Sequence, residues 1–174
     1  MSNHPDLPHL DKEGHVHMVD VHTKSDTRRR AIASGRLLTR KEVVKLVVDG
    51  QAPKGDVLAV ARVAGIMAAK KTAEWIPLAH LLPLTSIGVD ILVSDESFTV
   101  TAQVETVGKT GVEMEALTAV SATLLTIYDM LKAQDRAMTI NDVRVLSKSG
   151  GRSGDFSVNG ERPNANNASS HTNQ

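Results

Sequence analysis

The chain has 174 residues and a mass of 18.7 kDa, which suits one domain and is too small for two separate cores. Its 20 Lys and Arg residues balance its 20 Asp and Glu residues, so no net field draws it to nucleic acid or to an anionic membrane. Hydrophobic residues make up 41% of the sequence and cysteine is absent, which excludes a disordered chain, disulfides and every cysteine-ligated metal site.

The two ends of the chain are predicted to be mobile tails. Residues 1–14 mix His, Pro, Asp and Gly without a period, and residues 157–174 end in a run rich in Asn and Ser. One domain is therefore expected over residues 15–156. The first residues form neither a basic nor an apolar stretch, and no apolar run approaches the length of a membrane-spanning helix. We therefore expect a cytoplasmic protein without a membrane partner.

The first elements of the domain are a strand and a short helix. Val and polar residues partly alternate over residues 15–22, which predicts a strand that resumes over residues 28–38. Thr39 and Glu42 match a capping box, and Gly50 supplies a stop. This spacing predicts a short helix between them.

A second helix and a hairpin follow. Asp56 can cap a helix whose apolar residues recur at helical spacing until about Lys71. Residues 87–93 and 98–104 then alternate between apolar and polar side chains, and Ser-Asp-Glu-Ser separates the two runs. This pattern predicts a β-hairpin.

A long helix and a last strand complete the domain. Residues 112–136 are predicted to form the helix, whose apolar stripe consists of Leu117, Val120, Leu124, Ile127 and Leu131. Residues 140–146 fit the strand. The order strand, helices, strand, strand, helix, strand predicts an α+β fold, the ferredoxin-like sandwich with helices on one face of an antiparallel sheet.

A second stripe on the long helix carries small and polar residues. Within about 60° of Glu115 around the helix axis lie Thr118, Ala122, Thr126 and Asp129. Such residues suit contact with another surface, and solvent exposure is the alternative. Glu115 and Asp129 are separated by about 21 Å of helix rise, too far for one small substrate to touch both in one chain. Either one end alone is catalytic, or a neighbouring subunit completes the site.

Charged residues at the two ends of this helix have a structural and a functional interpretation. Asp129 and Lys132, at i and i+3, could form a surface ion pair or an acid–base pair with a lysine tuned toward neutrality. Glu113 and Glu115 lie in the first turn, where carboxylates interact favourably with the helix dipole. They point about 200° apart, so both cannot face one site directly.

Three further candidates lie outside the helix. Lys54 precedes the capped helix, and His80 lies in a turn before the hairpin, so either could be an ordinary surface residue. Lys148 begins a glycine-rich segment, residues 148–154, whose backbone and cations could bind a phosphate. A solvated loop is the alternative there.

Two other patterns do not predict a site. Gly108-Lys109-Thr110 resembles the end of a phosphate loop, but Gln103 stands where its first glycine is required, so a turn is favoured over an anion site. His15 and His17 share a strand face without a third ligand, so we expect no bound metal or cofactor.

Several segments together resemble one protein family. They are KGD at 54–56, AGIMAAK at 64–70, IPLAH at 76–80, KTGVEMEALTA at 109–119 and KSGGRSGDF at 148–156. Between His17 and Phe156 the chain resembles the cyclic pyranopterin monophosphate synthases, protein C of molybdenum cofactor biosynthesis. The resemblance implies a ferredoxin-like homohexamer, a trimer of dimers with sites at subunit interfaces. It also implies conversion of (8S)-3′,8-cyclo-7,8-dihydroguanosine 5′-triphosphate, a small-molecule substrate, into cyclic pyranopterin monophosphate and diphosphate.

The same resemblance implies a role for individual residues. Asp129 matches the family's catalytic position, and Lys132 and Lys54 match its general acid/base positions. The matched substrate-binding positions are Leu78, Ala79, His80, Glu113, Met114, Glu115, Lys148 and Arg29, the last as a phosphate contact. The family usually has Pro-Leu-Cys-His-Pro where this chain has Pro-Leu-Ala-His-Leu at 77–81. Loss of the thiol leaves the lysine and carboxylate chemistry intact, whereas loss of the proline predicts a looser turn at His80.

Two other classes of function are the alternatives. The altered turn is also compatible with a non-catalytic oligomeric module that binds a nucleotide. RNA binding through the sheet would need surface aromatic residues on the strands, and Phe98 alone does not provide them.

Overall fold

The computed structural model describes residues 14–151 and 154–158. Along them lie five strands and four helices: β1 Thr27–Leu38, α1 Lys41–Val48, α2 Val57–Lys70, α3 Thr72–Trp75, β2 Leu84–Ser94, β3 Ser97–Gly108, α4 Glu113–Leu131, β4 Thr139–Ser149 and β5 Phe156–Ser157. The expected tails fall almost entirely outside the described residues. The domain limits stay a prediction, although β5 extends one residue beyond the expected end at residue 156.

The sheet has the strand order β2-β3-β1-β4-β5, and every neighbouring pair is antiparallel. β1 pairs with β3 along its whole length, from Thr27 opposite Gly108 to Leu38 opposite Ser97. On its other side, Arg30 lies opposite Ser149 of β4. The start of β1 therefore meets the ends of β3 and β4 at one end of the sheet. This arrangement confirms the predicted α+β ferredoxin-like sandwich.

The helices cover one face of the sheet. Alternate residues of β1 and β3 are fully buried beneath them, among them Ala33, Leu37, Phe98 and Val100, whereas the intervening residues of β1 are mostly only half-buried. α4 completes this core with Val120, Leu124, Ile127 and Leu131, as predicted, and Leu117 is only partly buried.

α4 is also long and apolar enough to cross a membrane by length and composition, so the expectation that no apolar run approaches that length is wrong. Of this apolar stretch, 61% is buried inside the fold. The core helix of a sandwich needs the same composition, because it packs against both the sheet and a second helix. The apolar character of α4 is therefore weak evidence for a membrane span.

The second helix against α4 is α2, and a glycine lets the two approach closely. A Cβ atom on Gly65 would stand 2.2 Å from the Thr123 Oγ1 atom and 2.9 Å from the Ala119 carbonyl oxygen. Neither neighbour can yield easily, since Thr123 is fully buried and its hydroxyl donates to the Ala119 carbonyl at 2.8 Å.

We therefore expect Gly65→Ala to destabilise the protein by about 1–3 kcal/mol, because the added methyl group overpacks this contact. An unobstructed Gly to Ala change inside a helix would stabilise it by about 1 kcal/mol instead. Urea unfolding measures the difference. Gly88→Ala is the control, since a Cβ on Gly88 of β2 meets nothing within 4 Å. A stabilised Gly65→Ala variant would contradict the close contact.

Several local predictions are confirmed. Asp56 caps α2 by accepting a hydrogen bond from the Ala59 amide at 2.9 Å, and α2 ends at Lys70. Gly50 adopts a left-handed conformation just after α1, with φ +68°. The hairpin turns at residues 95–96, and both of its strands are longer than predicted.

The strand predicted over residues 15–22 is wrong. Val16 makes one isolated bridge, and the rest of the segment is coil and turn. β1, which follows shortly afterwards, already pairs with β3 on one side and β4 on the other. Both edges of β1 are therefore occupied, and a strand directly before β1 could not pair with it.

The capping box at Thr39 is also wrong, for a tertiary reason. The Thr39 hydroxyl donates to Asp135 Oδ2 at 2.9 Å, and Arg40 takes the N-cap position of α1 without a side-chain hydrogen bond. The buried Asp135 carboxylate also accepts from the backbone amides of Arg40 and Ala137, at 3.3 and 2.9 Å. These bonds turn the chain after Leu131, so α4 ends before the predicted residue 136.

Candidate active site

Charged residues gather at both ends of α4. The cluster at its C-terminal end consists of Lys54, Asp129 and Lys132, and is called the lysine–aspartate cluster below. Lys54 Nζ donates to Asp129 Oδ2 at 2.8 Å and to the Asp129 carbonyl oxygen at 2.9 Å. Lys132 Nζ lies 2.7 Å from Asp129 Oδ1. The structure thus brings together the three residues for which catalytic roles are predicted.

The cluster is exposed, so the hydrogen bonds between its members, and not burial, shift their pKa values. The hydrogen bond from Lys132, followed by that from Lys54, lowers the pKa of Asp129 to about 2. The Asp129 carboxylate in turn raises the pKa of Lys132. Of the two alternatives for Asp129 and Lys132, the single chain thus shows the surface ion pair, because the burial that would lower a lysine pKa toward neutrality is missing here.

At the N-terminal end of α4 lies a cavity of about 570 Å³, called the cationic cavity below. Its cations are Lys24, Arg29, Lys109 and Lys148. Among the described lining residues, Glu113 is the one carboxylate, and Thr and Ser hydroxyls supply much of the remaining wall. Cations with hydroxyl groups around a cavity are the chemistry that binds phosphates.

Arg29 is the buried member of this set. Its Nε atom donates to the Gly108 carbonyl and its Nη2 atom to the Lys109 carbonyl, both at 3.2 Å. Because β1 and β3 pair here, Arg29 reaches the loop that leads into α4. The guanidinium group therefore positions this loop and still retains further N–H donors.

A second cavity, of about 480 Å³, adjoins the first and is called the His80 cavity. The two cavities share Lys24, Thr110, Gly111 and Glu113 in their walls. The His80 cavity is also lined by Leu78, Ala79, His80, Met114 and Glu115. The expectation that Glu113 and Glu115 cannot both face one site is therefore wrong, since the Glu113 side chain folds back over Gly111, which lines the same cavity. All eight predicted substrate-binding residues thus line one cavity or the other.

His80 is held by its ring. Its Nε2 atom donates to the Val19 carbonyl at 3.0 Å, which leaves Nδ1 as the nitrogen that can accept a proton. The preceding turn is closed by a 3.0 Å hydrogen bond from the Ala79 amide to the Ile76 carbonyl. Leu81, in the place of the usual proline, points into solvent. These two bonds orient His80 without the proline.

Glu115 lies at the buried end of the small-residue stripe. It is 4% exposed, and Thr118 and Ala122 are buried with it, whereas Asp129 reaches the surface. Of the two alternatives for the stripe, contact is therefore correct over this part, and α2 of the same chain packs on α4. Burial, together with the nearby charge of Glu113, raises the pKa of Glu115 to about 7.

We expect Glu115→Gln to remove a pH dependence of stability. Between pH 4.5 and about 7 the folded chain holds a proton on Glu115 that the unfolded chain has released, so stability falls as pH rises through this window. The shift corresponds to about 3 kcal/mol at most. Urea unfolding at both ends of the window should show the wild type losing stability relative to Glu115→Gln. The exposed Glu96→Gln control should keep the wild-type slope, and parallel curves for Glu115→Gln would contradict the raised pKa.

Sequence reasoning missed the segment of residues 19–25. It lies over both cavities and is held by His80 and by Lys109, whose Nζ donates to the His22 carbonyl at 2.8 Å. Lys24 stands between two hydroxyl residues, Thr23 and Ser25, and this composition was the available signal. Within residues 14–151 and 154–158, no three His, Asp or Glu side chains cluster as a candidate metal site.

The sequence of this chain is similar to those of known proteins of one family. A family model described as the MoaC family matches residues 18–151, a range that contains the lysine–aspartate cluster and the predicted cavity residues. Proteins named cyclic pyranopterin monophosphate synthase in Thermomicrobium roseum, Chloroflexus aurantiacus and Roseiflexus sp. are 58%, 56% and 56% identical to this chain. These alignments cover 86%, 88% and 87% of this chain and 91%, 95% and 97% of the three relatives.

Proposed function

Because this chain belongs to the MoaC family, we propose that it is a cyclic pyranopterin monophosphate synthase, a lyase of molybdenum cofactor biosynthesis. Its substrate is (8S)-3′,8-cyclo-7,8-dihydroguanosine 5′-triphosphate, and its products are cyclic pyranopterin monophosphate and diphosphate. The observation that carries this proposal is the pair of adjoining cavities, one cationic and one with a buried acid and an imidazole. Their volumes of about 570 and 480 Å³ each fall within the range of small-molecule binding sites.

The cationic cavity holds the triphosphate in this proposal. Lys24, Lys109 and Lys148 supply ammonium groups, and Arg29 offers the N–H donors that its two backbone bonds leave over. Formation of the cyclic phosphate requires a sugar oxygen to attack the innermost phosphorus in line with the departing diphosphate. The oxygen–phosphorus bond to diphosphate breaks as the new one forms, and the cations stabilise the charge on the leaving group.

The His80 cavity holds the ring system. Opening the five-membered ring and closing the pterin ring require protons to be moved on and off ring nitrogens. Glu115, with a pKa of about 7, can give or accept a proton near neutral pH, and the Nδ1 atom of His80 can accept one.

Asp129, Lys132 and Lys54 are the proposed catalytic residues, although α4 separates them from these cavities. Glu115 and Asp129 are about 21 Å apart along the helix, so a second copy must bring its lysine–aspartate cluster to the cavities. We propose a homohexamer, a trimer of dimers, in which symmetry joins opposite ends of neighbouring α4 helices. Burial at that interface would lower the pKa of Lys132 toward the range that proton transfer needs. A cytoplasmic location belongs to the same proposal.

Incubation with the cyclised dihydro-nucleotide tests the function. The expected result is a pterin that becomes fluorescent after oxidation, together with one diphosphate for each nucleotide consumed. Titration calorimetry with the same nucleotide is the companion measurement. Binding without either product would overturn the enzyme and favour a nucleotide-binding module.

A further inference from the structure

Glu113, which lines both cavities, forms an ion pair with Lys148 of the cationic cavity. Glu113 is the first residue of α4, and its Oε1 atom lies 2.9 Å from Lys148 Nζ near the end of β4. Both side chains are 29% exposed, so the pair is reachable from the cationic cavity and is only partly screened by water. The Glu113 carboxylate is thus paired with Lys148, a cation that would otherwise face a phosphate.

The position of Glu113 depends on the loop before it. The Glu113 carboxylate folds back over Gly111, well inside contact distance of the place where a Cβ atom would stand. Gly111 does not adopt a left-handed conformation, so the missing side chain matters for space and not for backbone freedom. The loop therefore provides room for the carboxylate beside Lys148.

We propose that Glu113 competes with the phosphates of the ligand for Lys148 and that its return to Lys148 helps to expel diphosphate. The inference rests on the proposed function, since it takes the cationic cavity as the polyphosphate site. An intact substrate is also bound through its ring system, and this additional binding lets its phosphates displace one carboxylate. Diphosphate has lost those contacts after the reaction, so the carboxylate regains the ammonium group.

If Glu113 competes with phosphates for Lys148, removal of its carboxylate should strengthen the binding of diphosphate. We expect Glu113→Gln to bind inorganic diphosphate about 3- to 10-fold more tightly than the wild type, in line with the modest strength of partly exposed ion pairs. Titration calorimetry of the full-length protein with diphosphate alone measures this. In steady-state assays the same variant should show a correspondingly lower inhibition constant for diphosphate.

A double-mutant cycle isolates the pair. In a Lys148→Met background, Glu113→Gln should leave diphosphate affinity nearly unchanged, because the cation for which Glu113 competes is gone. Glu105→Gln is the matched control: Glu105 is paired with Arg28 at 2.7 Å and lines neither cavity. It should bind diphosphate like the wild type.

Equal or weaker diphosphate binding by Glu113→Gln overturns the competition, and so does tighter binding that persists with Lys148→Met. Damage to the fold would weaken binding, so it cannot imitate the expected gain. Diphosphate binding is measured without nucleotide, which separates this inference from the proposed function. If the wild type forms the pterin and Glu113→Gln shows no gain in diphosphate affinity, the competition alone is overturned. If the wild type forms no pterin, the proposed function is overturned.

Discussion

Replacing Asp129 by Asn should lower the rate of pterin formation by about 10²- to 10⁴-fold, the range that general acid–base groups contribute. The amide keeps the size of the side chain but loses the charge that both Lys54 and Lys132 contact at 2.7–2.8 Å. Lys132→Ala should have an effect of the same order, because it removes one of the two lysines proposed to transfer protons. Steady-state kinetics measure the loss, and size-exclusion chromatography should show an unchanged assembly.

Asp95→Asn is the control for this prediction. Asp95 forms an exposed ion pair with Lys41 at 3.4 Å on the hairpin turn, and it lines neither cavity. If the lysine–aspartate cluster were only a surface ion pair, Asp129→Asn and Asp95→Asn would both leave turnover near normal. That outcome would remove the catalytic role of Asp129.

Mixing two inactive variants should restore activity if neighbouring copies share each site. Asp129→Asn has a damaged lysine–aspartate cluster and intact cavities, and Glu115→Gln has the reverse. In randomly mixed assemblies, about one site in four combines an intact cavity from one chain with an intact cluster from another. We therefore expect co-expressed variants to recover about a quarter of the wild-type rate.

Each variant expressed alone is the control for this mixing experiment. Co-expression of Asp129→Asn with Lys132→Ala is the matched negative pair, since both changes damage the same cluster and no combination repairs it. Recovery in that pair, or no recovery with Glu115→Gln, would contradict a site built between copies.

Elements that depend on neighbours in the chain could be predicted from the sequence. Asp56 begins α2 because its carboxylate bonds to an amide three residues away, and the hairpin turns where polar residues interrupt two alternating runs. Thr39 shows where this approach fails. Its hydroxyl bonds to Asp135, 96 positions away, and that competitor cannot be read from the local pattern.

Some features of the candidate site could likewise be predicted from the sequence, and others could not. Motifs indicated the residues of the lysine–aspartate cluster and eight of the residues that line the cavities. The period of one helix indicated that Asp129 and Glu115 lie far apart. The segment over the cavities could not be predicted, because His80 and Lys109 hold it through bonds that span 61 and 87 positions. The direction of the Lys132 pKa also depends on exposure, which the sequence does not display.

The close contact at Gly65 has a consequence for the lysine–aspartate cluster. Lys54 lies on the loop that enters α2, and Asp129 lies on α4, so the interlocked backbones of the two helices set the spacing of ammonium and carboxylate. These charges are consequently preorganised before any neighbour or nucleotide arrives. In the proposed assembly, docking of a second copy would therefore cost little ordering of the cluster, and most of the entropy lost at that interface would fall on other residues.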